Sequence, residues 1–223
     1  VMILTYFLIT LYFWRKYIKE QFENNGKSLL FIHIPKNGGT SIENSFEKSG
    51  IKLGRFDDIY YPSKIKDSNN FTKKKCSYWH VPPKYTDISF DDHVVFAVIR
   101  NPISRIVSEY NYSKLNNPKK YPVNESINDF VEFIYKKYKT DKFMGNCHIL
   151  PQSEYLYDKN GKMCQNILCQ ENLQSDLSEF LKKYGFKDVK LSKNNTSSQQ
   201  GINDLSPKSI RLINELYKDD IQL

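Results

Sequence analysis

Ser28-Leu-Leu-Phe-Ile-His-Ile-Pro-Lys-Asn-Gly-Gly-Thr-Ser-Ile-Glu-Asn-Ser-Phe46 decides the fold. Ser28 to Ile34 is apolar and partly β-branched, and Gly26 and Pro35 bound it, as expected of a central strand in a parallel sheet. Pro35 ends the strand. Gly38 and Gly39 permit a turn that brings backbone N–H groups close to a ligand. Thr40 and Ser41 suit a helix N-terminus, where unpaired N–H groups and the positive end of the dipole attract an anion. Lys36 adds a mobile positive charge on the same loop. Residues 35–41 therefore form a phosphate cradle, with Pro35, Lys36, Asn37, Gly38, Gly39, Thr40 and Ser41 as expected ligand contacts. The order is not that of an NTPase loop, in which lysine follows the last glycine.

A second stretch supplies the other half of an anion site. His93-Val-Val-Phe-Ala-Val-Ile99 is another apolar run, and Arg100-Asn-Pro-Ile-Ser-Arg-Ile-Val-Ser-Glu-Tyr110 follows it. Pro102 fits the first turn of a helix. Arg105, Ser108 and Tyr112 are spaced three and four apart and share one helical face. Arg100 falls at the carboxyl end of the strand, where open α/β sheets bind ligands. An arginine fork and a hydroxyl there suit a terminal phosphate.

The order Pro-Lys-Asn-Gly-Gly-Thr-Ser resembles the 5′-phosphosulfate loop of sulfotransferases that use 3′-phosphoadenosine-5′-phosphosulfate. Arg-x-Pro-x-x-Arg-x-x-Ser resembles the 3′-phosphate site of the same enzymes. Gly145-Asn-Cys-His-Ile-Leu-Pro-Gln-Ser-Glu-Tyr-Leu-Tyr157 resembles the His-x-x-Pro-Gln-x-x-x-Leu segment of the membrane-anchored carbohydrate sulfotransferases, sulfotransferase family 2. That group includes the heparan sulfate 2-O- and 6-O-sulfotransferases and their bacterial and viral relatives. Gln170-Glu-Asn-Leu-Gln-Ser-Asp-Leu177, Lys193-Asn-Asn-Thr-Ser-Ser198 and Leu216-Tyr-Lys-Asp-Asp-Ile221 resemble later segments of the family. The family's usual Phe-Gly-Tyr-like end is not seen before Leu223. The resemblance covers residues 28 to 221. It implies a three-layer α/β/α fold with a central parallel sheet, P-loop-like in its nucleotide site. It implies 3′-phosphoadenosine-5′-phosphosulfate as cosubstrate and a glycan or other hydroxyl acceptor. Nucleotide contacts are expected from residues 35–41, Arg100, Ser108 and Asn194, with Arg105, His148 and Gln152 as further contacts to nucleotide or acceptor.

Transfer to a hydroxyl needs a general base. Of the four histidines, His33 lies in the expected strand and reads as core, and His93 opens a strand and reads as structural. His80, in Ser77-Tyr-Trp-His-Val-Pro-Pro83, lies between the two phosphate motifs, where the resembled enzymes place a catalytic histidine. His80 is expected as the base and His148 is the second choice, with Lys36 neutralising the leaving group. No metal site is expected.

Val1 to Trp14 carries no charged residue, and Arg15, Lys16 and Lys19 follow. Residues 1–14 read as a hydrophobic anchor or signal segment, 15–27 as a linker or stalk, and 28–223 as the catalytic domain. The anchor run is shorter than the twenty or so apolar residues that span a bilayer. The resemblance implies single-pass, Golgi-type lumenal placement, whereas the basic flank favours keeping that side in the cytosol. The formal charge of +8 suits a polyanionic sugar or acidic lipid. No nucleic-acid motif accompanies it.

Further helices are expected over residues 125–139, Leu173–Tyr184 (capped by Gly185) and Pro207–Lys218 (capped by Ser206), with a short strand over Val189–Leu191. For the four cysteines, a Cys147–Cys164 disulfide around the Pro151–Gly161 turn competes with free buried thiols. Two other functions remain open on the residues alone. A P-loop-type phosphotransferase would need a Walker lysine and a Mg²⁺-binding carboxylate, and a non-catalytic, membrane-tethered protein would use the basic surface to bind polyanions.

Overall fold

A computed structural model describes residues 10, 12, 23–24, 27–60, 76–116, 126–192 and 201–223. Most of the expected anchor and linker, and Asn194, lie outside the described residues. Among the described residues no helix is long and apolar enough to cross a membrane.

Among the described residues the sheet has four strands in the order β1-β2-β3-β4. β1 (Glu23–Asn24) runs antiparallel to β2 (Lys27–Ile32), with Glu23 opposite Ser28. β2 and β3 (His93–Ile99) are parallel, with Ser28 opposite His93 and Ile32 opposite Ala97. β3 and β4 (Asn166–Cys169) are also parallel, with Phe96 opposite Asn166. β3 has the expected bounds. β2 stops at Ile32, two residues before its expected end, because Ile34 N–H turns back to the Ile32 carbonyl at 3.1 Å, a γ-turn of the kind that closes strands.

Two buried faces follow from the alternation of side chains along strands. On one, Phe31, Val94, Phe96, Val98 and Leu168 meet Ile42 and Phe46 of α1 (Gly39–Lys48) and Leu177, Phe180 and Leu181 of α4 (Leu173–Lys183). Phe96 lies 4.9 Å from both Phe31 and Phe180, ring centroid to ring centroid. On the other face, Leu30, Ile32, Val95 and Ala97 meet Val81, Ile88, Phe90, Leu150 and Tyr155, which come from loops and 3₁₀ turns. A third cluster joins α2 (Pro102–Asn116), α3 (Ile127–Tyr138) and α5 (Pro207–Leu216) through Val107, Tyr110, Phe130, Ile134, Ile213 and Tyr217. The protein is an α/β fold with a parallel sheet flanked by helices.

Helix ends follow the residues. Pro102 opens α2. Ser126 caps α3 in a capping box with Asp129, and Ser206 caps α5 by accepting from the Ser209 N–H. Gly185 closes α4, where the Phe186 N–H reaches the Leu181 carbonyl at 2.8 Å. The expected strand at Val189–Leu191 is absent. Its Leu191 N–H donates to the Gln174 side chain at 2.8 Å, and the Gln174 amide donates to the Val189 carbonyl. The segment is thus tied to α4 instead of a sheet edge.

Candidate active site

The cradle follows β2. Lys36 and Gly38 adopt left-handed conformations, with φ of 71° and 86°. For lysine this conformation costs about 1–3 kcal/mol and is found mostly at functional sites. Gly38 is the N-cap of α1 and supplies no side-chain cap, so no capping side chain competes with an anion for the first N–H groups. Thr40 and Ser41 lie inside the first turn. Ser41 Oγ donates to the Ser192 carbonyl at 2.7 Å, and Ser45 Oγ accepts from Ser192 N–H at 2.9 Å. Residue 192 therefore runs beside α1. Gly39 is required for a separate reason: a Cβ there would lie 2.7 Å from the His33 ring.

A polar hub fixes the end of β3 against the cradle. The buried Asn37 donates to the Val98 carbonyl at 2.7 Å and to Gln152 Oε1 at 2.6 Å. Gln152 Oε1 also accepts from Arg100 N–H at 2.9 Å, and Gln152 Nε2 donates to the Arg100 carbonyl at 2.9 Å. Asp220 in turn accepts from the backbone N–H groups of Gln152 and Ser153 at 2.8 and 2.9 Å. The Gln152 side chain and the Asn37 Nδ2 are thus occupied by structure, while the buried Asn37 Oδ1 has no hydrogen-bond partner among the described residues. Arg100 Nη1 donates to the Lys36 carbonyl at 3.2 Å. Burial lowers the pKa of its guanidinium, and Glu171 partly offsets this. A phosphate beside it would favour the charged guanidinium in the same sense as Glu171.

Arg105 is 1% exposed, so it is a joint within the protein. Its Nε donates to the Pro35 carbonyl at 3.1 Å and its Nη2 to the His148 carbonyl at 2.9 Å. Ser108 is buried on the same helix. Tyr112, one turn further, lies under Lys36, whose Nζ is 3.8 Å from the ring centroid.

Three buried histidines line up beside the cradle. The His80 ring centroid is 5.0 Å from that of His33 and 4.9 Å from that of His148, both edge-on. Each outer ring is held by a fully buried carboxylate: His33 Nδ1 lies 2.5 Å from Glu43 Oε1, and His148 Nδ1 lies 2.8 Å from Glu109 Oε2. A carboxylate only accepts, so Nδ1 of each ring is the donor in these pairs. Tyr112 lies 6.1 Å from His148, ring to ring. A circuit of contacts therefore runs Gly39, His33, His80, His148, Tyr112, Lys36 and back into the cradle. His33, expected as a core residue, belongs to this circuit because β2 ends before it.

The model of the sulfotransferase family matches residues 21–223. The chain belongs to sulfotransferase family 2. Comparisons with curated proteins and with solved structures gave no match. The family makes this chain a sulfotransferase and sets the phosphotransferase reading aside.

Two carboxylates of this sulfotransferase, Glu43 and Glu109, were not anticipated. Glu109 lies four residues after Arg105, so the spacing that groups Arg105, Ser108 and Tyr112 also reaches it. The cysteines differ from expectation as well. Cys147 pairs with Cys76, Cα to Cα 5.5 Å, and not with Cys164. Cys164 is a buried thiol, its pKa pushed up to about 12 by burial. Among the described residues no group of three or more His, Cys, Asp or Glu is placed to hold a metal ion.

Proposed function

We propose that this sulfotransferase takes its sulfuryl group from 3′-phosphoadenosine-5′-phosphosulfate and delivers it to a carbohydrate hydroxyl. The observation that carries the reading is the circuit of contacts joining the Lys36 cradle to His80. Lys36 and the N–H groups at residues 38–41 hold the 5′-phosphosulfate and neutralise charge on the leaving phosphate. Arg100 and Ser108 hold the 3′-phosphate. His80, the middle ring of the row, takes the proton of the acceptor hydroxyl. The acceptor oxygen then bonds to sulfur as the sulfur–oxygen bond to the 5′-phosphate breaks, leaving adenosine 3′,5′-bisphosphate. His148, oriented by Glu109, is the second candidate base. Arg105 works from below, fixing Pro35 and His148 relative to each other.

The basic surface supports a polyanionic glycan as acceptor. We further propose that the apolar N-terminal run tethers the domain to a membrane on a lumenal, Golgi-type face. The disulfide supports the oxidising side, and a glycosylation-mapping fusion tests the orientation.

The deciding experiment incubates the purified protein with sulfur-labelled donor and a panel of glycans. Label on a glycan, with adenosine 3′,5′-bisphosphate raising the melting temperature far more than ATP, is the expected result. Equal shifts with ATP and no transferred label would refute the reading and leave the polyanion-binding alternative.

A further inference from the structure

The disulfide joins the two chain segments that carry the middle and outer histidines. Cys76 stands four residues before His80, and Cys147 stands immediately before His148. A second tie runs parallel to the first: the Ser77 N–H donates to Asn146 Oδ1 at 2.5 Å. Gly145, Asn146 and Cys147 all have left-handed φ, of 65°, 63° and 64°. Left-handed backbone at two successive non-glycine residues persists only where the surroundings hold it. On the far side of His80, Lys84 Nζ pairs with Glu154 Oε2 at 2.5 Å. The His80 segment is thus pinned to the His148 segment at both ends, and the covalent pin is on the side of the left-handed turn.

We propose that the Cys76–Cys147 disulfide and Asn146 are positioning residues that set His80 against His148, so that the acceptor half of the site is assembled only when the thiols are oxidised. The proposal rests on the transfer reading above. The donor half has anchors of its own, because Asn37, Gln152 and Asp220 fix the cradle and Arg100 without using the disulfide. The clamp should therefore govern turnover and leave donor affinity alone.

The test compares wild type with Cys76→Ala/Cys147→Ala and with Asn146→Gly. Asn146→Gly keeps the left-handed backbone and the disulfide while removing the amide tie, so it folds even where the double variant does not. Three quantities are read: adenosine 3′,5′-bisphosphate affinity, labelled transfer, and the ¹H–¹⁵N imidazole spectra of His80 and His148. Unchanged bisphosphate affinity, turnover lower by up to ~10²-fold as for a misplacement on the order of 1 Å, and displaced imidazole resonances are expected. Normal turnover with unmoved resonances in Asn146→Gly, or bisphosphate affinity falling in step with turnover, would overturn the proposal. If wild type itself transfers nothing, the transfer reading fails separately. The imidazole spectra then decide the clamp: displaced resonances support it and unmoved ones overturn it.

Discussion

Replacing Gln152 with alanine tests whether the site is held from behind. The side chain is 1% exposed and makes three hydrogen bonds, to Asn37 Nδ2, Arg100 N–H and the Arg100 carbonyl. Asn37 keeps its bond to the Val98 carbonyl, so the loss falls on the Arg100 backbone. Two buried backbone groups left unpaired cost about 1–3 kcal/mol each, and the expected destabilisation is about 4 kcal/mol. For a domain of this size that lowers the melting temperature by about 8–16 °C. Urea unfolding measures the loss. Calorimetric titration with adenosine 3′,5′-bisphosphate measures its consequence, because Arg100 no longer has a fixed backbone from which to reach the cradle. Gln152→Glu keeps the acceptor for Asn37 and Arg100 N–H but sets a buried carboxylate oxygen against the Arg100 carbonyl, so it should destabilise at least as much as Gln152→Ala. A loss below about 1 kcal/mol in Gln152→Ala, with full bisphosphate binding, would refute the hub.

Lys36→Ala should weaken bisphosphate binding and slow transfer together, whereas His80→Ala should leave bisphosphate binding intact and lower turnover by roughly 10²–10⁴-fold. Normal turnover in His80→Ala beside a dead His148→Ala would move the base to the Glu109-held ring. Gly39→Ala drives a methyl into the His33 ring and should cost about 1–3 kcal/mol, seen in the melting temperature; an unchanged melt would mean that the ring yields freely. His93, bonded to Ser28 Oγ at 2.9 Å, has its pKa lowered by burial, against a smaller upward pull from Asp92. Its contribution to stability is thus full above the unfolded value near 6.5 and is lost as pH falls toward the folded one. Urea midpoints at pH 7.5 and 5 should drop less in His93→Gln than in wild type, and an equal drop would show that His93 is not responsible.

The parts of the fold readable in the sequence are those set by local chemistry. β3 is a continuous apolar run, Pro102 starts α2, and Ser126 and Ser206 cap their helices. β4 was not readable. Asn166-Ile-Leu-Cys169 offers two apolar residues and no alternation, and it is a strand only because β3 is beside it. Val189–Leu191 has the opposite character, with strand-like residues but a side-chain amide as partner. Within the candidate site, the placement of Arg100 directly after β3 and of Lys36 in the loop between β2 and α1 was legible from Pro35, the glycine pair and Pro102. Glu43 and Glu109 were not, because a carboxylate on a helix looks solvent-facing until the rest of the chain buries it. His33 is buried as its place after the strand leads one to expect, but its contacts with Glu43 and His80 depend on residues far along the chain.

Asp220 holds Gln152, Gln152 holds Arg100 and Asn37, and Asn37 belongs to the loop that opens the site. During synthesis the phosphate loop leaves the ribosome among the first parts of the site, and its anchor follows close to the end of this sequence. A growing chain that has passed α2 already carries Lys36, Arg100 and Arg105 and their direct ties to the loop, but it lacks Gln152 and Asp220, which fix them from behind. A nonsense mutation just upstream of Tyr217 would release a protein that keeps Lys36, Arg100 and Gln152 but lacks the Asp220 carboxylate that holds the Gln152 backbone.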